Sequence, residues 1–174
     1  MSRNGLIGDA QRGNLKGVLQ SVVRGEDVNR ANRYGVTPLM AAAFWGRAEV
    51  VRVLLETGAN LEAREYSYGC TALTFACLSG SLEVTKRILD AGADVNTSDV
   101  TGRTPLMVAA TRGNPRTLRM LLQRGAKVNA QTSFGATALD LAYQNGNSEV
   151  ISMLLAHGAV LTDRRSAAGA QALL

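Results

Sequence analysis

His157 is the only histidine of the chain, and Cys70 and Cys77 are its only cysteines. Acid–base or nucleophilic catalysis would start from these residues, but none has a partner at a usable spacing. His157 falls in the last turn of a helical run, just before Gly158, where a donor or cation near free helix carbonyls is stabilising. The two thiols, with no histidine near them, make neither a zinc set nor a CxxC redox pair. Cys77 reads as a small core residue and Cys70 as a turn residue. Asp9, Asp99 and Asp140 are scattered, without a His or Cys at the spacing of a dyad. The glycine-containing stretches GRTPL and GATAL lack the Lys-Ser/Thr ending of a phosphate loop. No catalytic residue, metal ligand or cofactor cradle follows, and the expectation is a protein that is not an enzyme. The chemistry left is recognition, and its natural carriers are the aromatic and arginine side chains.

What positions those side chains is a repeat. Glycines recur at Gly35, Gly69, Gly102 and Gly135, with spacings of 34, 33 and 33. A second series runs through Gly13, Gly46, Gly80, Gly113 and Gly146, and a third through Gly25, Gly58, Gly92, Gly125 and Gly158. Five units are in register. Thr37-Pro38 and Thr104-Pro105 open a first helix, the Thr accepting from an unpaired N–H and the Pro having no N–H to waste. The middle glycine stops it. A second helix begins behind Asn14, Ser81, Asn114 or Asn147, carries Glu49, Glu83 or Glu149 in its first turn, and ends at the third glycine. These second helices are apolar over more than one stripe (Val50, Val51, Val53, Leu54, Leu55), so each has neighbours on both sides. The first helices carry Ala41, Ala42, Ala43 and Ala109, Ala110, which permit close approach. The units must stack.

The segments GVTPLMAAAFWGRAEVVRVLLETGANLEA, GCTALTFACLSGSLEVTKRILDAGADVNT, GRTPLMVAATRGNPRTLRMLLQRGAKVNA and GATALDLAYQNGNSEVISMLLAHGAVLT resemble the ankyrin repeat. The resemblance covers residues 4 to 163 and implies an all-α ankyrin-repeat solenoid, helix-turn-helix units with projecting β-turn or hairpin fingers. Its boundaries are set at 1–32 for an N-terminal cap, 33–65, 66–98, 99–131 and 132–165 for four further units, and 166–174 for a tail. The family's T-P-L-H histidine is replaced by Met40, Thr74, Met107 and Asp140, and its proline by Ala72 and Ala138. In the family that histidine joins turn to helix, so this network must be weaker or built differently here.

The first unit lacks a T-P-L start, as a terminal unit with one uncovered face allows, and Asp9, Gln11, Arg12, Lys16 and Gln20 read as its polar outer residues. The tail SAAGAQALL is expected to form a short, partly ordered helical cap over the last unit. No secretory leader is evident at the start, and no apolar run approaches the roughly 20 residues that span a bilayer. The default location is the cytoplasm, with the nucleus or export by a route lacking such a leader left open. A formal charge of +5 admits an acidic ligand or nucleic acid. Yet the basic residues of the second helices alternate with Glu49, Glu56, Glu83 and Asp90, which favours a solvated mixed-charge face.

In ankyrin proteins the fingers and the exposed side of the first helix line a concave face where partner proteins bind. The resemblance therefore implies a non-catalytic interaction module, with a secreted or host-directed effector using the same surface as the alternative, monomeric when free, with no cofactor and no membrane insertion. Tyr34, Phe44, Trp45, Tyr66, Tyr68 and Phe134 fall on fingers or at the end of a first helix, with Leu78, Arg33, Arg103 and Arg112 at neighbouring positions. These are the candidate partner contacts, Trp45 their anchor. Phe75 and Tyr143 sit where a core would claim them. The second finger is one residue longer, 11 positions from Gly58 to Gly69 against 10 elsewhere, and the addition falls within AREYSYG.

Overall fold

The structure, a computed structural model, describes residues 5–162. Its helices come in pairs: Gly5–Arg12 (α1) with Leu15–Val23 (α2), Pro38–Phe44 (α3) with Ala48–Glu56 (α4), and Ala72–Ser79 (α5) with Leu82–Asp90 (α6). Pro105–Arg112 (α7) with Pro115–Gln123 (α8) and Ala138–Gln144 (α9) with Ser148–Ala156 (α10) complete the series. The odd-numbered helices form one layer and the even-numbered ones a second, each helix touching its own partner and the equivalent helices of adjacent pairs. The odd layer packs more closely, because Ala42, Ala43, Ala76, Ala109, Ala110 and Ala142 are fully buried in it. The stack therefore closes towards that layer and leaves the even helices on the outer face. Among the described residues there is no strand; the fingers are turns, not extended hairpins.

Local chemistry sets the helix ends. Thr37, Thr104 and Thr137 accept from the backbone N–H three residues on, and Asn14, Ser81, Asn114 and Asn147 do the same for the second helices. Thr71 makes no such bond, its hydroxyl lying 3.5 Å from that of Thr74. The histidine network is indeed built differently: Thr37 N–H meets Met40 Sδ at 3.4 Å, and Thr137 donates through both N–H and Oγ1 to Asp140 Oδ2 at 2.8 Å. Burial pushes the Asp140 carboxyl up, but these donors and Thr162 outweigh it and hold it below its ordinary value.

Bonds between units repeat as well. Asn29, Asn96 and Asn129 each donate to the closing-glycine carbonyl of the next unit, at 3.1, 3.3 and 2.9 Å, and accept a backbone N–H from it. Glu62 holds the equivalent position once and only accepts, from Asp94 N–H at 3.0 Å.

The first unit departs from expectation at Asp9, which is 1% exposed rather than on a polar outer face. Its carboxylate is held by Arg12 at 2.8 Å and Asn14 Nδ2 at 2.9 Å. It occupies the place of Ala42, Ala76, Ala109 and Ala142, and the room comes from Gly17, where the other units have Val50, Val84, Thr117 and Val150. The tail expected to cap the last unit lies outside the described residues.

Candidate functional site

Each finger is a turn pinned by one polar side chain. Asn32 Oδ1 accepts from the N–H groups of Tyr34 and Val36 at 2.9 and 3.1 Å, and Asp99 Oδ1 from those of Thr101 and Arg103 at 2.8 and 2.9 Å. In the longer second finger the pinning residue is Glu65, whose extra methylene spans the added position. Its two oxygens accept from Ser67, Tyr68 and Cys70 N–H at 2.7, 2.6 and 3.3 Å. Burial pushes the Glu65 carboxyl up, yet the three backbone donors win and hold it below its ordinary value.

The fingers are also tied to one another. Tyr66 N–H donates to Tyr34 O, Val100 N–H to Tyr68 O and Ser133 N–H to Thr101 O, all at 2.8–2.9 Å. Arg64 braces the enlarged finger against the next one, donating to the carbonyls of Gly69 and Ser98 and to Thr97 Oγ1.

On this frame the aromatic candidates form two groups. The first is on the fingers: the Arg33 guanidinium lies 4.7 Å from the Tyr34 ring centroid and donates to its hydroxyl, while the Tyr66 ring covers Gly35. Tyr34, Tyr66 and Tyr68 are 52%, 75% and 63% exposed. The second is on the helices. Phe44 meets Trp45 edge-on at 5.6 Å and Phe75 of the next unit edge-on at 5.9 Å, with Phe44 and Trp45 about half exposed. Leu78, one turn beyond Phe75, is half-buried against the core.

The remaining candidates are more dispersed. Arg112 is exposed at the end of α7, and Phe134 stands exposed on the last finger. Arg103 is half-buried and turned inward, Nη2 donating to Thr111 Oγ1 at 3.0 Å. Tyr143, expected in the core, is exposed: it takes the position of the fully buried Ala43, Cys77 and Ala110, and among the described residues no further helix pair stacks on α9 and α10. Two further apolar side chains lie open beside these candidates. Phe75, which reads as core in the sequence, is only partly buried, and Val100 is 70% exposed on the third finger. Val100 follows the pinning residue just as Tyr66 does, a correspondence an alignment of the fingers alone contains.

The potentially reactive groups behave as structural ones. Burial pushes the Cys77 thiol up to about 12 and the Cys70 thiol up to about 11, so both stay protonated at neutral pH. His157 Nδ1 lies 2.8 Å from Met153 O, at the helix end where it was expected. Among the described residues no three His, Cys, Asp or Glu side chains converge as a metal site would need, and no helix is long and apolar enough to cross a membrane.

Four basic side chains are matched on the outer face. Arg52 pairs with Glu49 and Glu56, Arg87 with Glu83 and Glu49, and Asp90 with Lys86 and Arg124. Hydrogen bonds from Lys86 and Arg124 hold the Asp90 carboxyl below its ordinary value. Such exposed pairs contribute little to stability, but they offset positive charge that would otherwise face a polyanion.

A family model described as "Ankyrin repeats (3 copies)" matches residues 6–99 and again residues 93–165. No curated protein matches the chain. Proteins of this family are generally non-catalytic modules of protein–protein interaction. With stacked helix pairs, finger turns and two family matches that together run from residue 6 to residue 165, the chain belongs to the ankyrin repeat family.

Proposed function

We propose that the protein binds a partner protein along the face formed by the fingers and the closely packed odd-numbered helices, with Trp45 and Phe44 at the centre. The observation that carries this reading is the Phe44–Trp45–Phe75 group: three rings in edge contact across adjacent units, two of them about half open to solvent. Aromatic rings set in a rigid frame lose little conformational freedom on binding, so their burial converts efficiently into affinity. Tyr66 and Tyr68 on the braced second finger extend the surface, and Arg112 adds a charged neighbour. Units 1 to 5 act as one scaffold, with the boundaries drawn from the sequence.

Affinity capture from the source lysate tests the proposal, using the wild-type chain against a Trp45→Ala, Tyr66→Ala, Tyr68→Ala variant at low and moderate salt. A protein retained by the wild type at both salts and lost with the variant supports it. Equal recovery by both baits removes the aromatic surface from consideration. Nucleic acid retained only at low salt would transfer the function to the arginines, since phosphate contacts weaken steeply as salt rises.

A further inference from the structure

The outer face of α2 differs in kind from the outer faces of the helices that follow it. Leu19 and Val23 stand one turn apart on it, 44% and 86% exposed. The same two positions carry Arg52 and Glu56 in α4 and Lys86 and Asp90 in α6, ion pairs of 2.9 and 2.7 Å. In α8 they are Arg119 and Gln123, and in α10 Ser152 and Ala156. Leu15, half-buried one turn earlier, extends the apolar row. Beside it runs a second row, Lys16, Gln20 and Arg24, and the two rows line a groove between them. This surface lies away from the fingers and the aromatic groups.

We infer that this groove docks an amphipathic helix of a partner protein whose apolar row is flanked by aspartate or glutamate. The shape is that of helix packing: side-chain rows at i, i+4 and i+8 leave a furrow into which the row of another helix fits. Charge selects the occupant. Among the described residues no carboxylate forms an ion pair with Lys16 or Arg24, whereas on the two helices that follow α2 in the outer layer Arg52, Lys86 and Arg87 are each paired. An acidic flank on the incoming helix supplies those pairs. A second copy of the chain would not: in an antiparallel arrangement Lys16 meets Arg24, and in a parallel one Lys16 meets Lys16. A bilayer takes up a protruding wedge rather than a furrow, and it would press lipid phosphates against Glu49, Glu83 and Asp90 on the same outer layer.

Two stapled helical peptides test the inference on the full chain, both with one leucine row and flanked by glutamates in one and lysines in the other. Affinity is read by fluorescence anisotropy and the location by amide shifts of the labelled protein. The variant is Leu19→Arg, Val23→Glu, which installs the pair found in α4 and whose fold is checked by its thermal melt. The expected result is binding of the glutamate peptide alone, shifts confined to residues 15–24, and roughly a tenfold loss of affinity in the variant. Failure of the glutamate peptide to bind, equal binding of the lysine peptide, or shifts centred on Phe44 and Trp45 would overturn it. So would sedimentation showing a wild-type dimer that the variant lacks, or capture of phosphatidylserine vesicles lost in the variant. The aromatic surface stands or falls separately, because Trp45→Ala leaves this groove untouched.

Discussion

The ring of Tyr66 lies across Gly35 so closely that a Cβ on residue 35 would stand 2.6 Å from Tyr66 Cδ1. Gly35 also holds a φ of 78°. Substituting it with alanine thus meets two obstacles, a left-handed backbone costing about 1–2 kcal/mol and the displaced ring. Gly135 has the same φ of 78° and open space where its Cβ would go. In urea melts Gly135→Ala should lose only the backbone amount, and Gly35→Ala more. Only Gly35→Ala should shift the Tyr66 ring resonances, and identical behaviour of the two variants would mean that the ring does not rest on residue 35.

Glu65 makes the second finger sensitive to acid. Its carboxyl is held below the ordinary 4.5 by the N–H groups that converge on it against the opposing effect of burial. A depressed carboxylate stabilises the fold fully above its unfolded value, and that contribution disappears as pH falls through the folded one. Glu65→Gln should cost about 1–3 kcal/mol at neutral pH, since an amide donor would face converging N–H groups. The difference between wild type and variant should shrink below pH 4.5. A gap constant from neutral pH down to the acid limit would contradict this role.

The exchange of alanine for Asp9 in the first unit should be coupled to Gly17. A Cβ at residue 17 would come within 2.5 Å of Asp9 Oδ2, so Gly17→Ala should destabilise the wild type despite the roughly 1 kcal/mol by which alanine outranks glycine in a helix. With Asp9→Ala already in place the penalty should shrink, leaving the Asn14 amide nitrogen, 2.6 Å from that Cβ, as the remaining obstacle. A double-mutant cycle by chemical denaturation should give a coupling of about 1 kcal/mol or more, and additive effects would show the two side chains to be independent.

Glu62 breaks the series of asparagines that link one unit to the next. Glu62→Asn should add a donor towards the Gly92 carbonyl while keeping the bond to Asp94 N–H, now 3.0 Å from Glu62. A gain of about 0.5–1.5 kcal/mol is expected, towards the lower end because the site is exposed. The midpoint of a urea melt measures it; no rise would mean that the Gly92 carbonyl is served equally well by water.

The sequence by itself determined the repeat, the helix starts at Thr37, Thr104, Asn114 and Asn147, and the stops at the recurring glycines, because caps and left-handed turns are satisfied within a few residues. The width of the apolar stripes also foretold stacking. Only the tertiary structure decided what stands between units and what side chains do when they reach a neighbour. Phe75 shares its position with Ala41 and Val108 and reads as core, yet the ring of Phe44 from the preceding unit meets it at the edge of the packed layer. Asp9 reads as a surface residue until the room left by Gly17 admits it. Arg103 reads as a contact residue, but Thr111 eight positions away draws it inward. In each case the outcome rests on an atom brought close by folding, which periodicity counts but does not place.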